Sequence, residues 1–307
     1  MLKLNDLHVQ FTGRRSLDVV SGVNLTVMPG ENTIVIGESG SGKSMILLAV
    51  LGLLPAAAKI SGAVEWNNQN LLTLTTAELE RIRGREIAYI PQGGGNGLNP
   101  VMRIGKQLTE GIHFETSADR RHFALRLLTR FGFGNADIVS QAYPHRLSGG
   151  MKQRVLIAMG TAREAQLILA DEPTKGLDKQ RVEEVIQVFK ALQNRTLLCV
   201  THDLAFAKAV SDKIVVLYAS KVLEYGTRND FFSSPLHPYS QALLAALPEN
   251  GLQVLDGFAP PHEELCRSGC VFFARCPKRI KQCKTEPPFF HYGRQKVRCW
   301  RYADATC

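Results

Sequence analysis

Eight residues, Gly37-Glu38-Ser39-Gly40-Ser41-Gly42-Lys43-Ser44, follow the phosphate-binding pattern G-x-x-x-x-G-K-[ST]. The glycines let the backbone curl so that successive N–H groups point into one concavity, and a helix beginning at Lys43 adds the positive end of its dipole. Such a nest prefers a polyphosphate, with Lys43 reaching the β- and γ-phosphates and the Ser44 hydroxyl taking a place on Mg²⁺. Much further along, Leu167-Ile168-Leu169-Ala170 runs into Asp171-Glu172. This apolar run ending in two acids is the expected second half of a nucleotide site. Asp171 is placed to hold Mg²⁺, and Glu172 to polarise an attacking water. Thr201-His202-Asp203 closes another apolar run, which makes His202 a candidate γ-phosphate sensor.

These residues need strands to carry them. Thr33-Ile34-Val35-Ile36 precedes the glycine loop as a β-branched run, and Met45 to Leu54 follows it with the texture of a helix. Leu2 to Phe11 and Gly22 to Val27 alternate apolar and polar, as half-buried strands do, with Pro29-Gly30 as the turn before the loop strand. Further strands are expected at Glu86 to Ile90, Leu167 to Ala170, Thr196 to Thr201 and Lys213 to Tyr218. Between them Gly93 to Gly97 reads as a linker, and Met102 to Phe131 as a largely helical stretch. A helix follows at Lys152 to Ala162. Short apolar runs alternating with helices imply an α/β fold with a largely parallel sheet, and the helical insert spans about 93–160.

The 307 residues, 45% hydrophobic and 21% charged, are enough for one large domain or two unequal ones. The longest apolar stretch, Met45 to Leu54, falls short of a bilayer span. The N-terminus lacks the apolar region of a secretory signal, so the chain is expected to stay in the cytoplasm. Net charge is +9, and the segment from Gly251 to Cys307 carries ten Lys/Arg against five Asp/Glu. Nucleic acid, an anionic membrane surface or an electron-rich metal cluster could each account for that excess. The same segment holds six of the seven cysteines: Cys266, Cys270, Cys276, Cys283, Cys299 and Cys307. In a cytosolic chain such clustering points to a metal site over disulfides, while Cys199, alone in an apolar run, reads as a buried small hydrophobe.

In order along about 240 residues, the chain resembles the ATP-binding cassette (ABC) ATPases. The phosphate loop is their Walker A, Gln92 the Q-loop glutamine, and Leu147-Ser148-Gly149-Gly150-Met151 the signature. Leu167 to Glu172 is Walker B, Gly176-Leu177-Asp178 the D-loop and His202 the switch histidine. The resemblance implies that Gln92 joins Ser44 and Asp171 at Mg²⁺ and that Phe11 stacks on adenine. It also implies a head-to-tail dimer in which Ser148 and Gly150 act on the partner's nucleotide, and it counts Gly149 and Asp178 among the nucleotide-binding residues. Closer still is the likeness to the ATPase subunits of oligopeptide, dipeptide and nickel importers, carried by Leu98-Asn99-Pro100, Glu224-Tyr225-Gly226 and His237-Pro238-Tyr239-Ser240-Gln241-Ala242-Leu243-Leu244. Gly93 to Gly97 departs from that pattern, as does Lys175-Gly176.

What this implies is a P-loop ABC core with an antiparallel β subdomain and an inserted helical subdomain over residues 1–250, then a small cysteine-rich extension over 251–307. The implied partners are a second ATPase chain, favouring a heterodimer, two membrane permeases and an extracytoplasmic substrate-binding protein, at the cytoplasmic face of the membrane and without nucleic acid. Cys270, Cys276, Cys283 and Cys299 align with an extension that resembles a 4Fe-4S segment, with Arg275, Lys278 and Arg298 nearby to offset its charge. Zinc is the alternative, since Cys266 and Cys270 have knuckle-like spacing. None of these cysteines belongs to a nucleotide motif, so ATP binding is expected to be independent of them. A soluble ABC ATPase with an iron-sulfur cluster acting on nucleic acid or ribosomes is the alternative function, although such chains commonly carry two cassettes.

Overall fold

The computed structural model describes residues 1–12, 16–93, 97–192, 195–253, 257 and 268–304. It divides into two compact units, Met1–Leu74 with Val200–Cys307, and Thr75–Cys199. In chain order the first unit opens with β1 (Leu2–Phe11), β2 (Leu17–Val27), β3 (Asn32–Ile36), α1 (Lys43–Leu51), β4 (Ala58–Trp66) and β5 (Gln69–Asn70). The second holds α2 (Thr76–Ile82), β6 (Ile87–Ile90), α3 (Ile104–Leu108), α4 (Ser117–Arg130), α5 (Ala136–Gln141), α6 (Gly149–Thr161), β7 (Leu167–Asp171) and α7 (Lys179–Ala191). Strand β8 (Thr196–Thr201) carries the chain back into the first unit. There α8 (Leu204–Val210), β9 (Lys213–Tyr218), β10 (Lys221–Thr227), α9 (Arg228–Ser233), α10 (Pro238–Ala245), β11 (Phe290–Tyr292) and β12 (Gln295–Val297) follow.

The first unit contains the expected antiparallel sheet, in the order β2-β1-β4-β5. Leu2, Leu4, Leu7 and Val9 of β1 are buried. The alternation is interrupted where Asp6 adopts a left-handed φ of 47° and the register shifts, against β2 between Leu4 and Leu7 and against β4 between Asn5 and His8. A mixed sheet runs β11-β12-β10-β9-β3, with β9 parallel to β3 and the remaining pairs antiparallel. The antiparallel strand β10 and the hairpin β11–β12 were not expected from the sequence. Glu224-Tyr225-Gly226 carries a family likeness in the sequence and lies within strand β10, and the three-residue strands are too short to show a period. That hairpin makes the C-terminal segment part of the mixed sheet, and Leu236, Val297 and Cys299 pack a small core beneath Phe290 and Tyr302.

In the second unit β6 and β7 pair in parallel, and β7 is buried along its whole length, which explains its unbroken apolar run. The helical stretch expected at Met102 to Phe131 is two helices. Gly111 takes a left-handed φ of 67°, and the Thr109 hydroxyl bonds back to the Gly105 carbonyl, so α3 ends. Thr116 then caps α4, its hydroxyl accepting the Asp119 N–H at 3.0 Å. Of the expected glycine linker, only Gly93 and Gly97 fall among the described residues. Among those residues no helix is long and apolar enough to cross a membrane.

Candidate nucleotide site

In the first unit, β3 delivers the chain to the phosphate loop between backbones that leave no room for side chains. A Cβ on Gly37 would stand 2.0 Å from the Leu217 carbonyl oxygen, and one on Gly42 1.9 Å from that of Val19. Gly42, at φ 99°, is also the N-cap of α1, whose first turn has no acidic residue and no side-chain cap. Lys43 is buried, and its ammonium donates to the carbonyls of Gly37 and Glu38, both at 2.8 Å. Among the described residues the buried Ser41 hydroxyl has no hydrogen-bond partner, and Ser44 is half-buried on the first turn. A cation centred in a loop at an uncapped helix start, with a buried hydroxyl to satisfy, fits a polyphosphate. Phe11 is half-buried at the end of β1, opposite Leu17 and Ala58. His202 is exposed, directly after β8. The following Asp203 caps α8 by accepting the Phe206 N–H at 3.0 Å.

In the second unit, Asp171 ends β7 and is buried, and Tyr89 of β6 donates to its Oδ2 at 3.4 Å. Burial, and then the Asp171 charge, push the Tyr89 phenol up to about 12, so it remains a donor at neutral pH. Glu172 is buried at a left-handed φ of 46°, a backbone state that costs a non-glycine residue about 1–2 kcal/mol. Gln92 is exposed just beyond β6. Ser148 caps α6, its Oγ accepting the Met151 N–H at 3.3 Å. Gly149 is exposed, whereas Gly150 is buried beside the Arg181 side chain. Asp178 caps α7 by accepting the Arg181 N–H at 3.0 Å. Loop residues 37–44 and His202 thus belong to one unit, while Gln92, Ser148, Asp171, Glu172 and Asp178 belong to the other.

Sequence reasoning missed three residues here. Tyr89 lies in a run read only as a strand. Tyr239 and Arg275 both reach the phosphate loop: the Tyr239 hydroxyl accepts the Glu38 N–H at 3.0 Å, and Arg275 Nη1 lies 2.9 and 3.1 Å from the two Glu38 carboxylate oxygens. Tyr239 sits in His237-Pro238-Tyr239, flagged as a family mark without a physical role. The structure supplies one. The buried Glu224 carboxylate accepts the N–H groups of Leu236 and His237 at 2.9 and 2.8 Å, and His237 Nδ1 accepts the Tyr239 N–H at 3.0 Å. Burial depresses the His237 pKa to about 3, keeping the ring neutral and able to accept that bond.

Cys270, Cys276, Cys283 and Cys299 are all buried as free thiols. Burial pushes Cys270 up to about 12 and raises Cys276 and Cys299, and repulsion among the four adds to each shift. The structure therefore gathers them, yet among the described residues no three His, Cys, Asp or Glu side chains are arranged to hold a metal ion. Cys266 and Cys307 lie outside the described residues. The basic neighbours are engaged elsewhere: Arg275 by Glu38, Arg298 by Glu286, and Lys278 by Gln241 Oε1 at 2.6 Å. The Arg275–Glu38 pair puts the cysteine-bearing segment in direct contact with the phosphate loop.

Residues 20–175 match the family model described as ABC transporter, about half of the chain. The chain belongs to the ABC transporter family. Residues 223–283 of this ATPase match a second model, the oligopeptide/dipeptide transporter C-terminal region. It is 35% identical to the oligopeptide transport ATP-binding protein AppD of Bacillus subtilis, covering 99% of this chain and 97% of that one. It is likewise 35% identical to the oligopeptide transport ATP-binding protein OppD of Salmonella typhimurium, covering 97% and 92%. Among solved structures, the dimeric post-hydrolysis state of the ATP-binding cassette MJ0796 bound to ADP and Pi superposes with a TM-score of 0.66 at 28% identity, over 74% of this chain and 99% of that one.

Proposed function

We propose that this ABC ATPase drives the uptake of di- and oligopeptides. The observation that carries the reading is its likeness, over nearly the whole length of both chains, to proteins named for oligopeptide and dipeptide transport. The partners are a second, different ATPase chain, two permeases and an extracytoplasmic binding protein, with this subunit at the cytoplasmic face of the membrane. Residues 1–250 are the nucleotide-binding domain and 251–307 its extension.

In this reading Lys43 and the loop N–H groups neutralise the ATP phosphates, and Phe11 packs on the adenine. Ser44, Asp171 and Gln92 would hold Mg²⁺, which supplies charge neutralisation at the transferring phosphate. Glu172 takes the proton of the attacking water, and His202 contacts the γ-phosphate. Ser148, Gly149, Gly150 and Asp178 serve the partner's nucleotide. For the C-terminal segment the reading rests on its resemblance alone: Cys270, Cys276, Cys283 and Cys299 are its candidate 4Fe-4S ligands, with zinc as the competing occupant, and no three of the described side chains are arranged as a metal site.

The test is uptake of labelled di- and tripeptides and of nickel in a strain lacking this chain, restored with wild type or with Glu172→Gln. Wild type should restore peptide uptake. Glu172→Gln should restore none, and when purified it should bind ATP with negligible turnover. Restored nickel accumulation with unchanged peptide uptake would overturn the substrate, and near-normal hydrolysis by Glu172→Gln would overturn the base.

A further inference from the structure

Glu38 occupies an unspecified position of the phosphate-loop pattern, yet the structure fixes it from three sides. Its carbonyl accepts Lys43 Nζ at 2.8 Å and the Ser41 N–H at 3.3 Å, which ties the loop to its lysine. Its N–H is taken by Tyr239, and its carboxylate by Arg275. The two outer partners come from segments some two hundred residues away in sequence, and both make further contacts in an aromatic cluster. Arg275 also donates to the Tyr218 hydroxyl at 3.3 Å, and its guanidinium lies over that ring. Tyr218, Tyr239 and Phe272 are all but fully buried, with ring centroids 4.6 to 5.4 Å apart. Phe272 and Arg275 lie between Cys270 and Cys276 in the chain. The aromatic cluster therefore joins the cysteine-bearing segment to the loop.

We propose that Tyr239 and Arg275 are positioning residues for ATP binding, which hold Glu38, and through its carbonyl the Lys43 ammonium, where the phosphates are received. The proposal rests on the ATP reading of the loop. Its consequence is that the cysteine-bearing segment sets nucleotide affinity from outside the nucleotide motifs. Both Arg275 bonds leave from one nitrogen, so a lysine can supply the same point charge, whereas a methionine keeps only the packing.

The experiment measures ATP affinity by titration with a fluorescent ATP analogue, KM and kcat, and the apo melting midpoint, on the full chain. Tyr239→Phe, which keeps the buried ring, should weaken binding about three- to tenfold with the midpoint nearly unchanged. Arg275→Met should weaken it about tenfold, raising KM while leaving kcat near wild type, and Arg275→Lys should recover most of the loss. On a Glu38→Gln background Arg275→Met should lose much of its effect, because the charged partner is gone. Wild-type affinity in Tyr239→Phe and Arg275→Met, or a fall confined to kcat, would overturn the positioning role. A wild-type chain that binds no ATP would instead overturn the reading of the loop itself.

Discussion

Lowering the pH should loosen the His237-Pro238-Tyr239 turn, and the size of the effect follows from one buried ring. His237 is 1% exposed, and burial places its pKa near 3, against 6.5 for an ordinary histidine. For a base with a depressed folded-state pKa, the unfolded chain binds the extra proton. The stabilisation is therefore complete above pH 6.5 and is lost as pH falls from 6.5 toward 3. At about 1.4 kcal/mol per pH unit, moving from pH 7.5 to 5.0 costs roughly 2 kcal/mol. Glu224 works in the opposite sense. Its pKa is raised by burial, so the folded state takes up its proton first and gains stability as pH falls toward 4.5. Wild type alone would report the sum, so the comparison is with His237→Asn, whose carbonyl can still accept the Tyr239 N–H but does not titrate. Melting midpoints of the two proteins from pH 7.5 to 5.0 should converge, wild type losing roughly 4–8 °C relative to the variant, since about 1 kcal/mol moves a unit of this size by 2–4 °C. Parallel curves across that range would refute the assignment of a neutral, proton-excluding His237.

Two further perturbations probe the loop and the cysteines. Gly42→Ala should abolish ATP binding, because its Cβ meets the Val19 carbonyl at 1.9 Å at a left-handed φ; Gly40→Ala, at φ 80° with nothing within 4 Å, should cost only about 1–2 kcal/mol, and equal losses in nucleotide titrations would refute the argument. Anaerobically purified chain should be brown, with about four irons and four sulfides, and Cys276→Ser should lose the colour and weaken ATP binding through Arg275. A colourless preparation with stoichiometric zinc would overturn the cluster, and unchanged affinity in the colourless Cys276→Ser would overturn the coupling.

The parts of the fold legible in the sequence were those with long or pure patterns. β7 and β8 are buried along their whole lengths and so appear as unbroken apolar runs, and the β3–loop–α1 passage is announced by glycines that only a backbone-crowded turn demands. Elements whose signal is shared with another reading were lost. β4 contains Gly62 at φ 90°, β10 holds the buried Glu224, and β11 and β12 have three residues each. A charged residue inside a strand looks like a surface position until its partners are known. For Glu224 those partners include the N–H groups of Leu236 and His237, and the side chain of Gln295, 71 positions away.

The same reasoning separates the site residues that motifs could find from those they could not. Lys43, Asp171 and Glu172 are legible because the phosphate chemistry constrains type and spacing over a few consecutive positions. Glu38 carries no such constraint, since the pattern asks nothing of its side chain, and Arg275 is one of ten basic residues in a segment whose positive charge has several explanations. Their pairing across 237 positions leaves no periodicity to read. It becomes visible only when α10 brings Tyr239 to the loop and the thiol-bearing turn brings Phe272 against it. The aromatic cluster is thus more than packing: an ion pair to an exposed loop is worth little, but the Arg275 side chain is only 10% exposed and is held by the Tyr218 hydroxyl and ring, so part of the entropy of aiming it at Glu38 is met by the core. That is why a change at the cysteines, far from any nucleotide motif, is expected to reach ATP.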